Sequence, residues 1–459
     1  MRKTSIIILT WNQIDYTKLC INSIRLYTKP DYEIIVVDNA STDGTVEWLK
    51  EQSDITAIFN DINKGFPAGC NQGILKSTGD VIVLLNNDIF VTPRWLDNLL
   101  SCLNSSDKIG AVGPCSNSAG ANQILYVNYE NLDEMISFAT NYNKSNEKLW
   151  RERTRLAGFC FAVKKTVINE VGLFDERFFP GNYEDDDYCF RIRQSGYKLM
   201  FCADTFIHHY GNVSFKTNPL YEGTASDAFH VNGRRFEEKW GFNTSYHSSI
   251  RYDAINLIDQ SESRKNLYVL EVGCGCGATI LEIKYLFPGA KVFGIEANQS
   301  AAEMARSFAD IKTGDVENMN IDYPNDYFDY ILLSDILEHM INPWEFLVKI
   351  KKYLKPAGYI ITGIPNVMHF SVILELFKGN WDYTDKGILD KDHLRFFTLK
   401  SIRDMFEKSG YAINQINAQT SSDDGMQNFL EYLYKAIPPE MRNELMALMY
   451  TVKAQRYTS

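Results

Sequence analysis

No apolar run in this 459-residue sequence reaches the ~20 residues that a helix needs to cross a bilayer. The opening stretch MRKTSIIILTWN has two basic residues, but its apolar segment stops at Leu9 and is followed by Trp11 and Asn12, which is too short for a signal-peptide core. Positive charge is also scarce, with 47 Lys and Arg against 58 Asp and Glu and a formal charge of -11. That deficit argues against a protein that follows nucleic-acid phosphates with a broad basic face. Paired cysteine spacing is missing. Cys20, Cys70, Cys102, Cys115, Cys160, Cys189, Cys202, Cys274 and Cys276 are odd in number and recur at no interval. This argues against a disulfide framework and suits a reducing cytoplasm. Cys274 and Cys276 form a lone C-x-C without the second pair that a zinc site requires.

The chain has enough apolar material for more than one core. Hydrophobic residues make up 45% of it and charged residues 23%, an ordinary globular balance. Its length exceeds the roughly 250–300 residues that one core organises, so two domains are expected. Short β-branched runs, SIIILT, EIIVVD, TAIFN and DVIVLLNND, alternate with helix-like segments from residue 4 onward and predict a parallel α/β sheet. A second series begins near residue 266 with YVLEVG, KVFGIE, IKTGD, YILLSD and YIITGIP. Between them lies a polar stretch ending in SESRK. The expected division is a domain over 1–250, a linker over 251–265, a second domain over 266–420 and a helical tail over 421–459. The tail places Phe429, Leu430, Tyr432 and Leu433 on one apolar face, suited to packing or to oligomerisation.

In open α/β sheets, ligands bind at the carboxyl edge of the strands. That edge is unusually polar in the first series, whose strands end in Thr10-Trp11-Asn12, Asp38-Asn39-Ala40-Ser41 and Asn86-Asn87-Asp88. Ser41 is expected to cap a helix starting at Thr42; the remaining groups favour a nucleotide pocket. The ordered motifs ILTWN, VVDNASTDGT, NKGFPAGCNQG, LLNNDIFVTPRWL, AGFCFAV, GLFDERFFPGNYEDDDYCFRIRQSGYKL and IHHYGNVSF span about residues 4 to 242. Through them the sequence resembles the family-2 glycosyltransferases of GT-A fold, especially rhamnosyltransferase-like members.

The resemblance implies a nucleotide-sugar donor, a UDP- or dTDP-sugar, with Asp38 on its base or ribose. Thr10, Asn12, Asn63, Gly65, Asn71 and Asn87 would line the same cleft. It implies a divalent metal, Mg2+ or Mn2+, held by Asp88 and by one of His209 and His208, which face opposite sides of a strand, with spacing favouring His209; Ser214 matches the serine of the family's His-Gly-Ser segment. The variable metal motif appears here as Asn86-Asn87-Asp88, with one acid only. Glu184, Asp185, Asp186 and Asp187 are too many adjacent carboxylates for a comfortable structural role, although they also suit a helix N-terminus. The resemblance places the general base at Asp185, with Glu184 and Asp187 as alternatives.

In the second series YVLEVGCGCGATIL reads as strand, glycine turn and helix. Gly273, Gly275 and Ala278 fit a loose dinucleotide fingerprint, and Glu296 follows at the next strand end. Glu271, just ahead of the loop, suits an amino group and would repel a pyrophosphate. Glu271 to Gly277 therefore resembles the first motif of class I methyltransferases, with Gly314-Asp315, SDILEHMINP and LKPAGYIITGIPN in agreement. This implies a Rossmann-like fold and S-adenosylmethionine bound by Glu271, Gly273, Gly275, Gly277, Glu296 and Asp315. The run FKGNWDYTDKGILDKDHLRFFT is similar to methyltransferases of bacterial glycan assembly. Base candidates are His339, Asp390 and His393; Arg395 is an acceptor anchor or a surface ion-pair partner.

Together these readings predict a cytoplasmic bifunctional enzyme. It transfers a hexose or deoxyhexose, with rhamnose suggested by the resemblance, to a glycan or glycoprotein such as a surface polysaccharide or a flagellin-like protein. It then O-methylates a sugar of the product. A catalytically silent, scaffold-like first half is the alternative, suggested by the thinned metal motif.

Overall fold

The computed structural model describes residues 3–29, 31–211, 225–259, 261, 266–422 and 425–457. The chain forms two compact units, Met1–Ser248 and Ser249–Ser459. Among the described residues no helix is long and apolar enough to cross a membrane. The nine cysteines are all buried.

The strands of the first unit are β1 (Thr4–Thr10), β2 (Tyr32–Asp38), β3 (Ile55–Phe59), β4 (Val81–Asn86), β5 (Ile89–Phe90), β6 (Ile109–Ser116), β7 (Trp150–Arg153), β8 (Cys160–Lys164) and β9 (Lys198–His209). They form one sheet in the order β3-β2-β1-β4-β8-β6-β9-β5, with β7 paired to β9. Period-two alternation gives this sheet two buried faces. Ile6, Ile8, Val36 and Val83 enter one core, and Ile7, Ile35, Ile82 and Leu84 enter the other. The expected parallel arrangement holds for the four strands read from sequence, and the sheet as a whole is mixed. β1 to β4 run parallel, while β8 pairs antiparallel to both β4 and β6. The buried run CFAVK, outside the early alternating series, supplies that reversal.

The second unit adds β10 (Tyr268–Val272), β11 (Lys291–Glu296), β12 (Asp310–Thr313), β13 (Phe328–Ser334), β14 (Leu354–Pro365), β15 (Tyr411–Thr420) and β16 (Ala447–Arg456). Their order is β12-β11-β10-β13-β14-β16-β15. Five strands are parallel, and β16 lies antiparallel between β14 and β15. The expected helical tail is thus helical only in part. Its helix Gln427–Ala436 buries Leu430 and Leu433 against Phe370 and Leu445 of the same unit, and the chain then returns to the sheet as β16. The expected linker also needs correction. Tyr252–Ile255 is a short helix, and Ala254, Ile255, Leu257 and Ile258 belong to the unit's core. Residues 262–265 of the SESRK segment lie outside the described residues.

Candidate active sites

In the first unit β1, β2 and β4 bring Thr10, Asp38 and Asn86 to one sheet edge, with Thr10 opposite Asp38 and Asn86 opposite Leu9. Two loops are tied together there. The Asn12 amide donates to Ser41 Oγ at 2.7 Å, and the Thr42 amide donates to Asn12 Oδ1 at 2.8 Å. Ser41 therefore clamps a loop and caps nothing; the helix starts later, at Thr45, whose amide donates to Asp43 Oδ1. Asp38 is buried and accepts the Ser41 amide through Oδ1, while Oδ2 has no hydrogen-bond partner among the described residues. Burial raises its pKa. A buried acceptor left unmatched costs free energy, so Asp38 is suited to a donor from a ligand.

Several expected donor-binding groups are engaged in hydrogen bonds within the fold. The Asn71 amide donates to the Phe174 carbonyl and to Glu176, and its Oδ1 accepts the Phe174 amide. Asn87 donates to Thr10 Oγ1 and Thr17 Oγ1, which occupies the Thr10 hydroxyl as well. Asn63 Oδ1 accepts the Gly65 amide. Gly65 has φ +80°, and a Cβ there would lie 3.0 Å from the Pro180 carbonyl oxygen. Its lack of a side chain thus admits the neighbouring loop.

Asp88 Oδ1 lies 3.1 Å from His209 Nε2, and His209 Nδ1 donates to the Ser118 carbonyl. Burial disfavours the charged ring, but hydrogen bonding and charge from Asp88 outweigh it, and the His209 pKa is raised. His208 points elsewhere, to the Tyr129 hydroxyl, and burial lowers its pKa to about 4. It is withdrawn as a metal ligand, because consecutive strand residues face opposite sides. Ser214 lies outside the described residues. A carboxylate beside an imidazole is a donor set that fits a divalent cation such as Mn2+.

A cavity of about 380 Å³ opens beside Asn86, with Glu184, Asp185 and Asp186 in its wall. These acids begin the helix Glu184–Gln194, whose N-terminal dipole tolerates them. They are not equivalent. Asp187 faces away, bound to Trp240, Arg191 and Lys239, and is withdrawn as a base. Asp186 is paired with Arg155, a partner that the sequence did not mark. Asp185 accepts the Gly158 amide at 2.8 Å; burial and then Asp186 raise its pKa to about 6. Glu184 is fully buried with Oε2 unpartnered among the described residues, and burial and Asp185 hold its pKa well above the carboxylate range. The two carboxyls thus differ in their surroundings: Asp185 is held by a backbone amide, whereas Glu184 Oε2 is left without a partner among the described residues.

In the second unit the glycine loop follows β10. Gly273 has φ +71°, and a Cβ there would lie 2.2 Å from Ile336 Cδ1, so only glycine fits beneath the loop after β13. Glu296 Oε2 accepts the Gly275 amide at 2.7 Å, and Oε1 accepts the Asn298 amide at 2.8 Å. Gly277 is the left-handed residue that starts the helix Ala278–Leu286. Glu271 is buried beside the loop with Oε2 unpartnered among the described residues, and burial raises its pKa to about 8. Asp315 is exposed, its carboxylate accepting from the Glu317 amide and the Asn318 side chain.

His339 and His393 pack edge to face with ring centroids 4.7 Å apart. Buried Glu338, which the sequence reading passed over, joins them; a carboxylate inside the run ILLSDILEHM was the available signal. Asp390 turns back on the Asp392 amide. Arg395 donates to the Leu394 and Ile341 carbonyls and makes no ion pair among the described residues.

Comparison with known proteins agrees with this layout. Residues 5–172 match the family model described as glycosyl transferase family 2, and residues 246–416 match a methyltransferase domain model. The glycosyltransferase AglE of Haloferax volcanii is 26% identical over 211 residues, covering 45% of this chain and 66% of that protein. A mannosyltransferase from Pyrobaculum calidifontis, solved with GDP-Man and Mn2+, matches at 20% identity and TM-score 0.35 over 45% of this chain and 56% of that one. A SAM-dependent methyltransferase from Archaeoglobus fulgidus matches at 17% identity and TM-score 0.35, over 49% of this chain and 99% of that one. The chain spans less than two thirds of the length of the first two.

Proposed function

We propose that this chain, which joins a family-2 glycosyltransferase domain to a methyltransferase domain that uses S-adenosylmethionine, both builds and methylates a glycan in the cytoplasm. The first unit transfers a hexose or deoxyhexose from a nucleotide sugar to a glycan or glycoprotein acceptor with inversion. The second O-methylates a sugar of the product. The observation that carries the reading is Asp185, a carboxylate held by the Gly158 amide in a cavity beside Asn86 at the strand edge.

In the sugar-transfer step Asp38 Oδ2 accepts from the donor's nucleoside. Asp88 and His209 would hold a divalent cation, which offsets charge on the departing diphosphate when bound. Asp185 takes the proton of the acceptor hydroxyl as that oxygen attacks the sugar carbon. In the methyl-transfer step the glycine loop receives the cofactor, and Glu271 meets its ammonium group. Much of the acceleration comes from alignment of acceptor oxygen, methyl carbon and sulfur.

Turnover of UDP- and dTDP-sugars with Mn2+, compared between the wild type and Asp88→Asn, tests the first half. Loss of turnover in the variant is expected; equal turnover would remove the metal role, and no turnover in either would leave the scaffold reading. Thermal stabilisation by S-adenosylhomocysteine tests the second half.

A further inference from the structure

At the carboxyl end of β13 the short 3₁₀ turn Leu337–His339 places Glu338 in the interior and His339 at its rim. His393 reaches the same point from the segment after Asp390. One ligand atom from each of Glu338, His339 and His393 falls within 4.8 Å of the others. Three features distinguish this cluster from a packed core. Glu338 is 1% exposed, and neither of its carboxylate oxygens has a hydrogen-bond partner among the described residues. Both rings are fixed by backbone: His339 Nδ1 donates to the Asp392 carbonyl and His393 Nδ1 to the Ile388 carbonyl, each at 3.0 Å. That tautomer puts the lone pair of each ring on Nε2, the arrangement that orients a metal-binding histidine. Finally, the Asp335 and Asp390 carboxylates add negative field at Glu338, opposed in part by Arg251.

We propose that Glu338, His339 and His393 bind a divalent cation in the second unit, and that the ion ligates two adjacent hydroxyls of the sugar acceptor. Two imidazoles and one carboxylate suit a borderline ion such as Mn2+, Co2+ or Zn2+, and three protein ligands leave coordination positions open. The position suits the acceptor. Ile336, two residues before Glu338, packs against Gly273 of the glycine loop, so the cluster stands beside the cofactor's loop on the ligand-binding edge. A vicinal diol bound there has one hydroxyl acidified by the ion. Its oxygen forms a bond to the methyl carbon as the carbon–sulfur bond breaks, S-adenosylhomocysteine leaves as a neutral thioether, and the hydroxyl proton passes to water. The histidines then act by holding the ion and not as the base.

The diol half of this inference rests on the reading of the second unit as a sugar O-methyltransferase; the ion site does not. The test uses the full chain carrying Asp88→Asn, which silences the other candidate cation site, with Co2+ as a visible probe and Mn2+ and Zn2+ measured by elemental analysis after dialysis. About one equivalent is expected to bind, and Glu338→Gln and His393→Ala are each expected to weaken binding at least ~10-fold. S-adenosylhomocysteine must still stabilise each variant, which separates ligand loss from misfolding; Glu338→Gln keeps the side-chain shape if His393→Ala fails that check. An Asp88→Asn chain that binds none of the three ions, or binds them equally with Glu338→Gln added, overturns the site. An ion that binds as expected, with no increase in affinity for a methyl-sugar diol over its monodeoxy analogue, overturns the diol assignment alone.

Discussion

Asp185 and Glu184 share a helix turn and a cavity, and burial raises the pKa of both, with Asp186 adding to the rise at Asp185 and Asp185 to that at Glu184. A base must be ionised to act, so sugar transfer should fall as pH drops through about 6, where Asp185 gains its proton. Asp185→Asn should lower kcat by roughly 10²–10⁴-fold while nucleotide-sugar affinity stays near wild type, because the base meets the acceptor and not the donor. A wild-type rate in that variant would move the role to Glu184. Glu271 presents the opposite trade. Its pKa is about 8 when folded against an ordinary 4.5, so the native state keeps a proton that the unfolded chain has lost. Stability therefore falls as pH rises through that window. Glu271→Gln should stabilise the ligand-free protein at pH 8 by roughly 2–4 kcal/mol and abolish S-adenosylmethionine binding; a scan with no rise in Tm would refute the first half. Of these groups, Asp185 and Glu271 were singled out by motif position; the structure places Asp185 in the cavity wall beside Asn86 and buries Glu271. Strand alternation already favoured His209 over His208; the orientations of Asp187 and Asn71 were not legible, because a motif does not say which way a side chain turns.

Among the elements, the strands of both early series could be read from sequence because β-branched alternation is strong where both sheet faces are buried. Legibility ended where that signal weakened. β16 has the mixed run ALMYTVKAQR, with Lys453 and Arg456 among its residues, and lies far along the chain from the partners it separates. Its neighbours are set by tertiary pairing, not by local propensity. It nonetheless places Ala447, Tyr450, Val452 and Ala454 in the core. Truncation after Met446 should therefore abolish S-adenosylhomocysteine binding, since β14 and β15 lose their shared partner, while nucleotide-sugar binding by the first unit persists. A terminal oligomerisation element would instead leave binding intact and change only the size of the assembly. Calorimetry with both ligands, together with light scattering, distinguishes the two outcomes.

For the whole molecule, one chain carrying two transferase domains makes the product of the first a neighbour of the second, raising its effective concentration without any new contact. The methyl group should then go onto the glycan that the first unit builds, and not onto an unrelated small molecule. A cellular test needs a variant that removes cofactor binding and spares the fold. Glu296 is a poor choice, because its two oxygens hold the Gly275 and Asn298 amides and its loss would loosen the loop. Glu271 is better, since its Oε2 has no partner among the described residues to lose. In a Glu271→Gln strain, mass spectrometry of the glycan should show unchanged length and the loss of one methyl, a deficit of about 14 mass units from the missing CH₂. An Asp185→Asn strain should instead lack the sugar and its methyl together, because the second unit would have no acceptor. If the Glu271→Gln strain keeps the methylated glycan at wild-type abundance, the second unit acts on another substrate. If Asp185→Asn leaves a methylated glycan of normal length, the two reactions are not consecutive.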